Sequence, residues 1–262
     1  MKILSLNIFE GCEEETRFKQ LINFVNKENP DVLALLELNN WDKDHSAKLK
    51  RFLKETNFRH FCFCKTESGY HMALFFNFEL EESVSIIDGF NHGMIKAKIK
   101  SDNVSVWFVV THLSPYTEDD RLKELEILFT NLPEESIDVV LMGDFNSLSP
   151  FDGYDEELLL KKAKTVNFKK FGVNNLRIDV QNKIIEKGFI DSFYYFSKKF
   201  ESTVPTNYCK DYSHFVEMRL DYIFTTQNLL KHFVKARIVK DSETNKISDH
   251  FPVLLELDLT TI

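Results

Sequence analysis

An apolar run that stops on a polar residue recurs from one end of this chain to the other. Met1-Lys2-Ile3-Leu4-Ser5-Leu6 runs into Asn7, and Asp31-Val32-Leu33-Ala34-Leu35-Leu36 runs into Glu37. Val104-Ser105-Val106-Trp107-Phe108-Val109-Val110-Thr111 runs into His112. Ile137-Asp138-Val139-Val140-Leu141-Met142 runs into Gly143-Asp144-Phe145-Asn146. Near the other end, Ser248-Asp249-His250 leads into Phe251-Pro252-Val253-Leu254-Leu255, and Asp221 interrupts Arg219-Leu220-Asp221-Tyr222-Ile223-Phe224. Short apolar runs of this kind read as buried strands. Their polar residues spread from position 7 to position 250 of 262. The expectation is therefore a single domain, 1–262, whose site needs both ends of the chain.

Between these runs, Phe18, Leu21, Ile22 and Val25 follow helical spacing, and Pro30 closes that segment. Leu49, Phe52 and Leu53 suggest a second helix. Leu122, Leu125, Leu128 and Phe129 make a third, opened by Thr117 with Asp120 three residues on, a capping-box pattern. A fourth is expected over about 176–187, stopping at Gly188. Further strands are expected around 58–65, 71–77, 83–88, 93–100 and 232–239. Many strands per helix, with no Gly/Ser/Pro linker, predict two packed sheets with helices outside.

Hydrophobic residues make up 43% of the chain, as in ordinary globular proteins. No apolar run approaches the ~18 residues of a membrane span, and Met1 to Leu6 is too short for a signal-peptide core. The four cysteines show neither a zinc spacing nor the disulfide framework of a small secreted protein. A reduced, cytoplasmic protein is the simplest expectation. The net charge of −8 argues against a protein that coats nucleic acid non-specifically. It leaves room for a nuclease with a local basic face.

The polar residues themselves suggest chemistry. Asp144 and Asn146, at i and i+2, would leave a strand on one side and could hold a water or metal beside a phosphoryl group. A Gly-Asp turn ending a strand is the plain structural alternative. A strand-interior acid such as Asp221 needs a donor, and His250 is the natural one. A set of carboxylate and amide oxygens, Asn7, Glu37, Asp144, Asn146 and Asp249, suits Mg²⁺ or Mn²⁺ better than zinc.

Taken together and in this order, Asn7, Glu37, Thr111-His112-Leu113, Gly143-Asp144-Phe145-Asn146, Leu220-Asp221-Tyr222 and Ser248-Asp249-His250 resemble the endonuclease/exonuclease/phosphatase superfamily. Its members include DNase I, exonuclease III, sphingomyelinases, inositol polyphosphate 5-phosphatases and poly(A) deadenylases. The resemblance implies a four-layer α/β/β/α sandwich and a Mg²⁺- or Mn²⁺-dependent phosphoesterase. It implies Glu37 as the principal metal ligand, with Asn7 and Asp249 helping. It implies Asp144 as the residue that orients or deprotonates the attacking water, and Asn146 as a group that binds the phosphoryl or fixes the nucleophile. His112 and His250 would contact phosphate oxygens, with Asp221 holding the His250 ring.

Within that resemblance the chain departs from its subfamilies. Abasic-site endonucleases carry Tyr where this chain has His112, and an aromatic-rich element where it has 212–219. The secretory signal and cysteine pattern of DNase I are absent.

Substrate signals are weaker. Lys161, Lys162, Lys164, Lys169, Lys170 and Arg177 fall in a stretch, 161–177, that contains no acid. It would line a phosphate-backbone path or be a solvated face. Trp41 and Tyr116 follow Glu37 and His112 on loops, where each would stack on a base or plug the loop. Arg121 would touch substrate phosphate or pair with Asp119, Asp120 or Glu124. His45, His60, His71, His92, His214 and His232 match no motif and read as structural or exposed; His214 is the one placed to border a pocket. The expected reaction is hydrolysis of phosphodiesters at nucleic-acid ends or strands. A small-molecule or lipid-headgroup phosphoesterase is the enzymatic alternative, and an inactive binding module the non-enzymatic one.

Overall fold

The computed structural model describes residues 1–101, 104–133, 138–165, 169–209 and 213–260. In chain order the elements are β1 (Lys2–Asn7), α1 (Glu15–Glu28), β2 (Val32–Leu36), α2 (Ala47–Glu55), β3 (His60–Cys64), β4 (Met72–Phe76), β5 (Glu79–Ile86), β6 (Met94–Ser101) and β7 (Val104–His112). There follow α3 (Glu118–Thr130), β8 (Val139–Asp144), α4 (Glu156–Thr165), α5 (Asp179–Glu186), β9 (Ile190–Asp191), α6 (Ser192–Ser197), β10 (Asp221–Thr225), β11 (Phe233–Ile238) and β12 (Val253–Leu257).

The strands form two six-stranded mixed sheets, ordered β11-β12-β1-β2-β4-β3 and β5-β6-β7-β8-β10-β9. Side-chain alternation explains the layering. On β2, Val32, Ala34 and Leu36 join Val106, Phe108 and Val110 of β7 and Val140 and Met142 of β8 in the core between the sheets. The other parity, Leu33 and Leu35, packs outward on Phe18, Leu21, Ile22 and Phe52 of α1 and α2. Trp107, Val109 and Leu141 likewise face Leu125 and Leu128 of α3 and Val180 and Ile184 of α5. The architecture is the expected α/β/β/α sandwich.

The helix signals hold locally. Asn29, at φ 46°, closes α1 before Pro30, its N–H donating to the Val25 carbonyl. The Thr117 hydroxyl oxygen accepts from the Asp120 N–H and donates to the Asp120 carboxylate at 2.6 Å. The fourth expected helix begins at Asp179 instead of residue 176, and α4, α6 and the short β9 were not foreseen.

Two features position the catalytic edge. Antiparallel pairing of β1 with β12 sets Ser5 opposite Val253 and so brings the two chain ends together. In the second sheet, His112, Asp144 and Asp221 stand abreast at the ends of three neighbouring strands, since Asp144 is the register partner of both others. Gly143 permits that approach. Its φ is 142°, and a Cβ there would lie 1.9 Å from the Thr111 carbonyl oxygen. Gly143→Ala is expected to lower the thermal midpoint strongly, by the several degrees that a loss of a few kcal/mol causes. A melting curve matching the parent's would remove this account of the strand pair.

Candidate active site

On four of the core strands the inward stripe ends in a polar candidate residue. Ile3, Ser5 and Asn7 share a parity on β1; Phe108, Val110 and His112 share one on β7; Val140, Met142 and Asp144 share one on β8; Ile223 and Asp221 share one on β10. The apolar members fill the inter-sheet core; His112 and Asp144 line the cavity at its open end, while Asn7 and Asp221 hold two further lining residues, Glu37 and His250. A cavity of about 670 Å³ lies there, bordered by Glu37, His112, Asp144, Asn146, Lys170, His214, Asp249 and His250.

Glu37 breaks the parity rule. It follows inward Leu36, and strand alternation alone would turn it outward. Its φ of 60° reverses the chain and swings the carboxylate into the cavity. There Oε1 accepts from Asn7 Nδ2 at 2.9 Å, and Oε2 accepts from the Glu10 N–H at 2.9 Å. Asn7 Nδ2 also donates to Asp144 Oδ2 at 3.3 Å, so one amide ties the two carboxylates together. Its own oxygen accepts from the Phe9 N–H. From the far end of the chain, the Ser248 hydroxyl donates to the Asn7 carbonyl at 2.6 Å, and its oxygen lies 3.2 Å from Asp249 Oδ1.

Asn146 lies beyond the end of β8, with φ 51°, so the i, i+2 argument does not set its direction. Its N–H donates to Asp144 Oδ1 at 2.8 Å, and its Nδ2 to the Leu113 carbonyl at 2.8 Å. Its Oδ1 accepts from Lys170 Nζ.

The histidines differ in charge. Nδ1 of His250 meets Asp221 Oδ2 at 2.7 Å, while Nε2 lies 3.9 Å from Asp144 Oδ2. Burial pushes His250 down, but Asp221, Asp249 and Asp144 override it and hold the ring well above the usual imidazole range. Burial raises Asp221 against the pull of His250. The shared proton is assigned to His250, because two further carboxylates face that ring. His112, with Nε2 3.5 Å from Asp144 Oδ2, goes the other way. Burial, then the charges of His250 and Lys170, push it down to about 3, so it is neutral at physiological pH. Glu37 is raised to about 7, first by burial and then by the Asp249 charge.

Whether these residues fit a divalent cation follows from their placement. Three carboxylates, Glu37, Asp144 and Asp249, line one cavity, and the Asn7 amide joins the first two, a gathering of oxygen donors that suits a hard cation. The set fits.

The structure places the remaining sequence candidates differently. Trp41 is fully buried, its Nε1 donating to the Gly11 carbonyl at 2.9 Å; it plugs the loop and offers no stacking face. Arg121 is also fully buried. It pairs with Glu118 at 2.8 Å and donates to the carbonyls of Ser114 and Lys170, so it meets neither solvent nor any of the three expected acids. Tyr116 is 63% exposed and lines the cavity. Lys161, Lys162 and Lys169 are exposed and lie outside the cavity lining. Lys161 instead borders a separate groove with Glu156 and Glu157, and Arg177 is neutralised by Asp119 and Asp179. The acid-free stretch is therefore no continuous basic track among the described residues. Lys170 alone of it reaches the cavity, buried, through the turn after residue 169.

His92 is the residue that sequence reading misplaced. It lines the cavity, stacked on His112 with ring centroids 4.2 Å apart, and its Nδ1 meets the Ser68 hydroxyl at 2.9 Å. Burial, then His112, push it down to about 2. His71 is structural as expected, between Asp42 and Thr66.

Comparison with known proteins bears on the family and the fold. A comparison with curated protein sequences finds no match. Among solved structures, an AP endonuclease from Archaeoglobus fulgidus superposes with a TM-score of 0.70 at 19% identity, over 99% of this chain and 100% of that one. The 3′-5′ exonuclease NExo from Neisseria meningitidis gives 0.70 at 18% identity, over 98% and 100%. A humanized Danio-type TDP2, from D. rerio, gives 0.66 at 16%, over 98% of each chain. At these identities the likeness is one of fold. The profile of the Endonuclease/Exonuclease/phosphatase family matches residues 4–250, nearly the whole chain. The chain belongs to the endonuclease/exonuclease/phosphatase family, enzymes that hydrolyse phosphoester bonds.

Proposed function

We propose that this protein is a divalent-cation-dependent phosphodiesterase acting on nucleic acid. The observation that carries the reading is the convergence of Glu37, Asp144 and the Asp221–His250 pair on one cavity, tied by the Asn7 amide. Nuclease and 3′-phosphatase neighbours of the same fold support the choice of nucleic acid, among them a Neisseria enzyme bound to product DNA hairpin.

Glu37 and Asp249, with Asn7 beside them, would hold Mg²⁺ or Mn²⁺. When bound, the cation neutralises charge on the phosphoryl group. The remaining work falls to side chains. Asp144, whose oxygens accept from the Asn7 amide and the Asn146 N–H, takes the proton of the attacking water as oxygen bonds to phosphorus. His250, charged and fixed by Asp221, directs Nε2–H at a non-bridging oxygen. Neutral His112 offers a second contact without adding a charge. Lys170, held by Asn146, supplies a fixed positive charge as the ester oxygen departs.

EDTA should abolish hydrolysis of a chromogenic diester, with Mg²⁺ or Mn²⁺ restoring it. Full turnover in chelator-treated protein would sink the cation reading. Assays on single- and double-stranded DNA, RNA, the chromogenic diester and sphingomyelin would identify the substrate.

The lysines should separate. Lys170→Met should lower kcat on the small diester. Changing Lys161, Lys162 and Lys169 together to Ala should leave that kcat intact. If those three contact a strand, the triple variant should flatten the salt dependence of oligonucleotide binding, normally about −0.9 in log–log slope per duplex phosphate contact. Equal kcat losses in both variants would contradict the division.

A further inference from the structure

We propose that His214 gives the cation centre a nitrogen donor, so that the centre prefers Mn²⁺ to Mg²⁺. The inference rests on the cation reading above and extends it to ion choice. His214 lies on none of the strands that end at the cavity, and reaches it from the segment before Met218. It is buried, at 7% exposure, and Nδ1 stands 3.2 Å from Asp249 Oδ2.

The two oxygens of Asp249 face different neighbours. Oδ1 lies 3.2 Å from the Ser248 hydroxyl oxygen, and Oδ2 faces His214. The Thr206 N–H donates to the Asp249 carbonyl, fixing the backbone beneath. A cation bound through Oδ2 therefore sits next to the His214 ring. Octahedral ligands at 2.0–2.1 Å are separated by about 3 Å along an edge, close to the observed nitrogen–oxygen distance. Candidate donor atoms of His214, Asp249 and His250 all lie within 4.8 Å of one another. The His214 ring packs against His250 edge-on, centroids 4.9 Å apart at 81°, which limits its rotation.

Ion choice follows from ligand chemistry. Mg²⁺ favours oxygen ligands and sheds water reluctantly, whereas imidazole binds the later divalent ions more readily. One nitrogen beside Glu37 and Asp249 tilts the centre towards Mn²⁺. The competing arrangement is an Nδ1–H donated to Asp249 Oδ2, which would orient the carboxylate without touching the ion.

Pulsed EPR of the Mn²⁺-loaded full chain distinguishes them. The parent should show coupling to a directly bound nitrogen, and His214→Gln and His214→Asn should lose it while retaining Mn²⁺. By calorimetry, the ratio of Mn²⁺ to Mg²⁺ affinity should fall about tenfold or more in either variant. A parent spectrum without nitrogen coupling, or variants with an unchanged ratio, overturns the assignment in favour of the orienting hydrogen bond. The parent spectrum decides the matter even if both variants fail to fold. Absence of any Mn²⁺ or Mg²⁺ binding by the parent overturns the cation reading as well.

Discussion

Glu37→Gln should lose turnover by orders of magnitude while the cation-free protein becomes more stable at alkaline pH. The substitution keeps the acceptor for Asn7 Nδ2 and removes the charge that a cation needs. Stability moves the opposite way because the carboxyl is raised from 4.5 to about 7 in the fold. The folded state thus binds a proton that the unfolded chain releases between pH 4.5 and 7. Folding stability contributed by this group falls as pH rises through that window, and the penalty is fully present above pH 7. Its size is on the order of 3 kcal/mol. Gln carries no such penalty. Cation binding competes with the same proton, so Mg²⁺ or Mn²⁺ should raise the parent's melting temperature more at pH 8 than at pH 6. Thermal melts of parent and variant, at both pH values and with and without cation, check the two stability effects, and turnover of the chromogenic diester checks the first. A variant less stable than the cation-free parent at pH 8 would refute the electrostatic account.

Asp221→Asn and His250→Ala should each cost about 10²–10⁴ in kcat, and together hardly more than the worse single change. The two act as one unit through the 2.7 Å bond between Nδ1 and Oδ2, both side chains being buried. Removing the Asp221 charge removes a major source of the His250 shift, so the ring should titrate lower in Asp221→Asn. The alkaline limb of the rate profile should move down with it. The sign of the stability effect is set by a raised base. The pair's contribution is fully present below the unfolded imidazole value near pH 6.5, and is lost as pH rises through the higher folded value. Kinetics of the double variant and an NMR titration of His250 read these outcomes. Additive losses in kcat would separate the two residues.

The same strand logic divides what was legible in the sequence from what was not. Asn7, His112, Asp144 and Asp221 were readable because a strand has a period of two. A polar residue at the end of an inward apolar stripe must point where the stripe points, into the open end of the inter-sheet space. Helices α1, α2, α3 and most of α5 were readable from their own period, and the sandwich from the ratio of strands to helices; α4 and α6 were not. That regularity stops where the strands stop. Glu37 faces the cavity because its backbone turns to φ 60°, and Asn146 leaves β8 through a similar turn at 51°. Trp41 and Arg121 looked available on loops and helix starts, yet both are sealed by partners brought in from elsewhere: the Gly11 carbonyl for one, Glu118 and the Lys170 carbonyl for the other. Lys170 was one of several equivalent lysines in sequence and became the buried one by position alone. His92 carries no local signal and His214 only its place in a loop that could border a pocket, since their contacts with His112 and Asp249 form across many residues of chain. The sequence by itself determined the sheets, their inward faces and the polar residues that end them. Only the tertiary structure decided which loop side chains turn inward, because that direction is set by the groups packed against them and not by any repeating geometry of the chain.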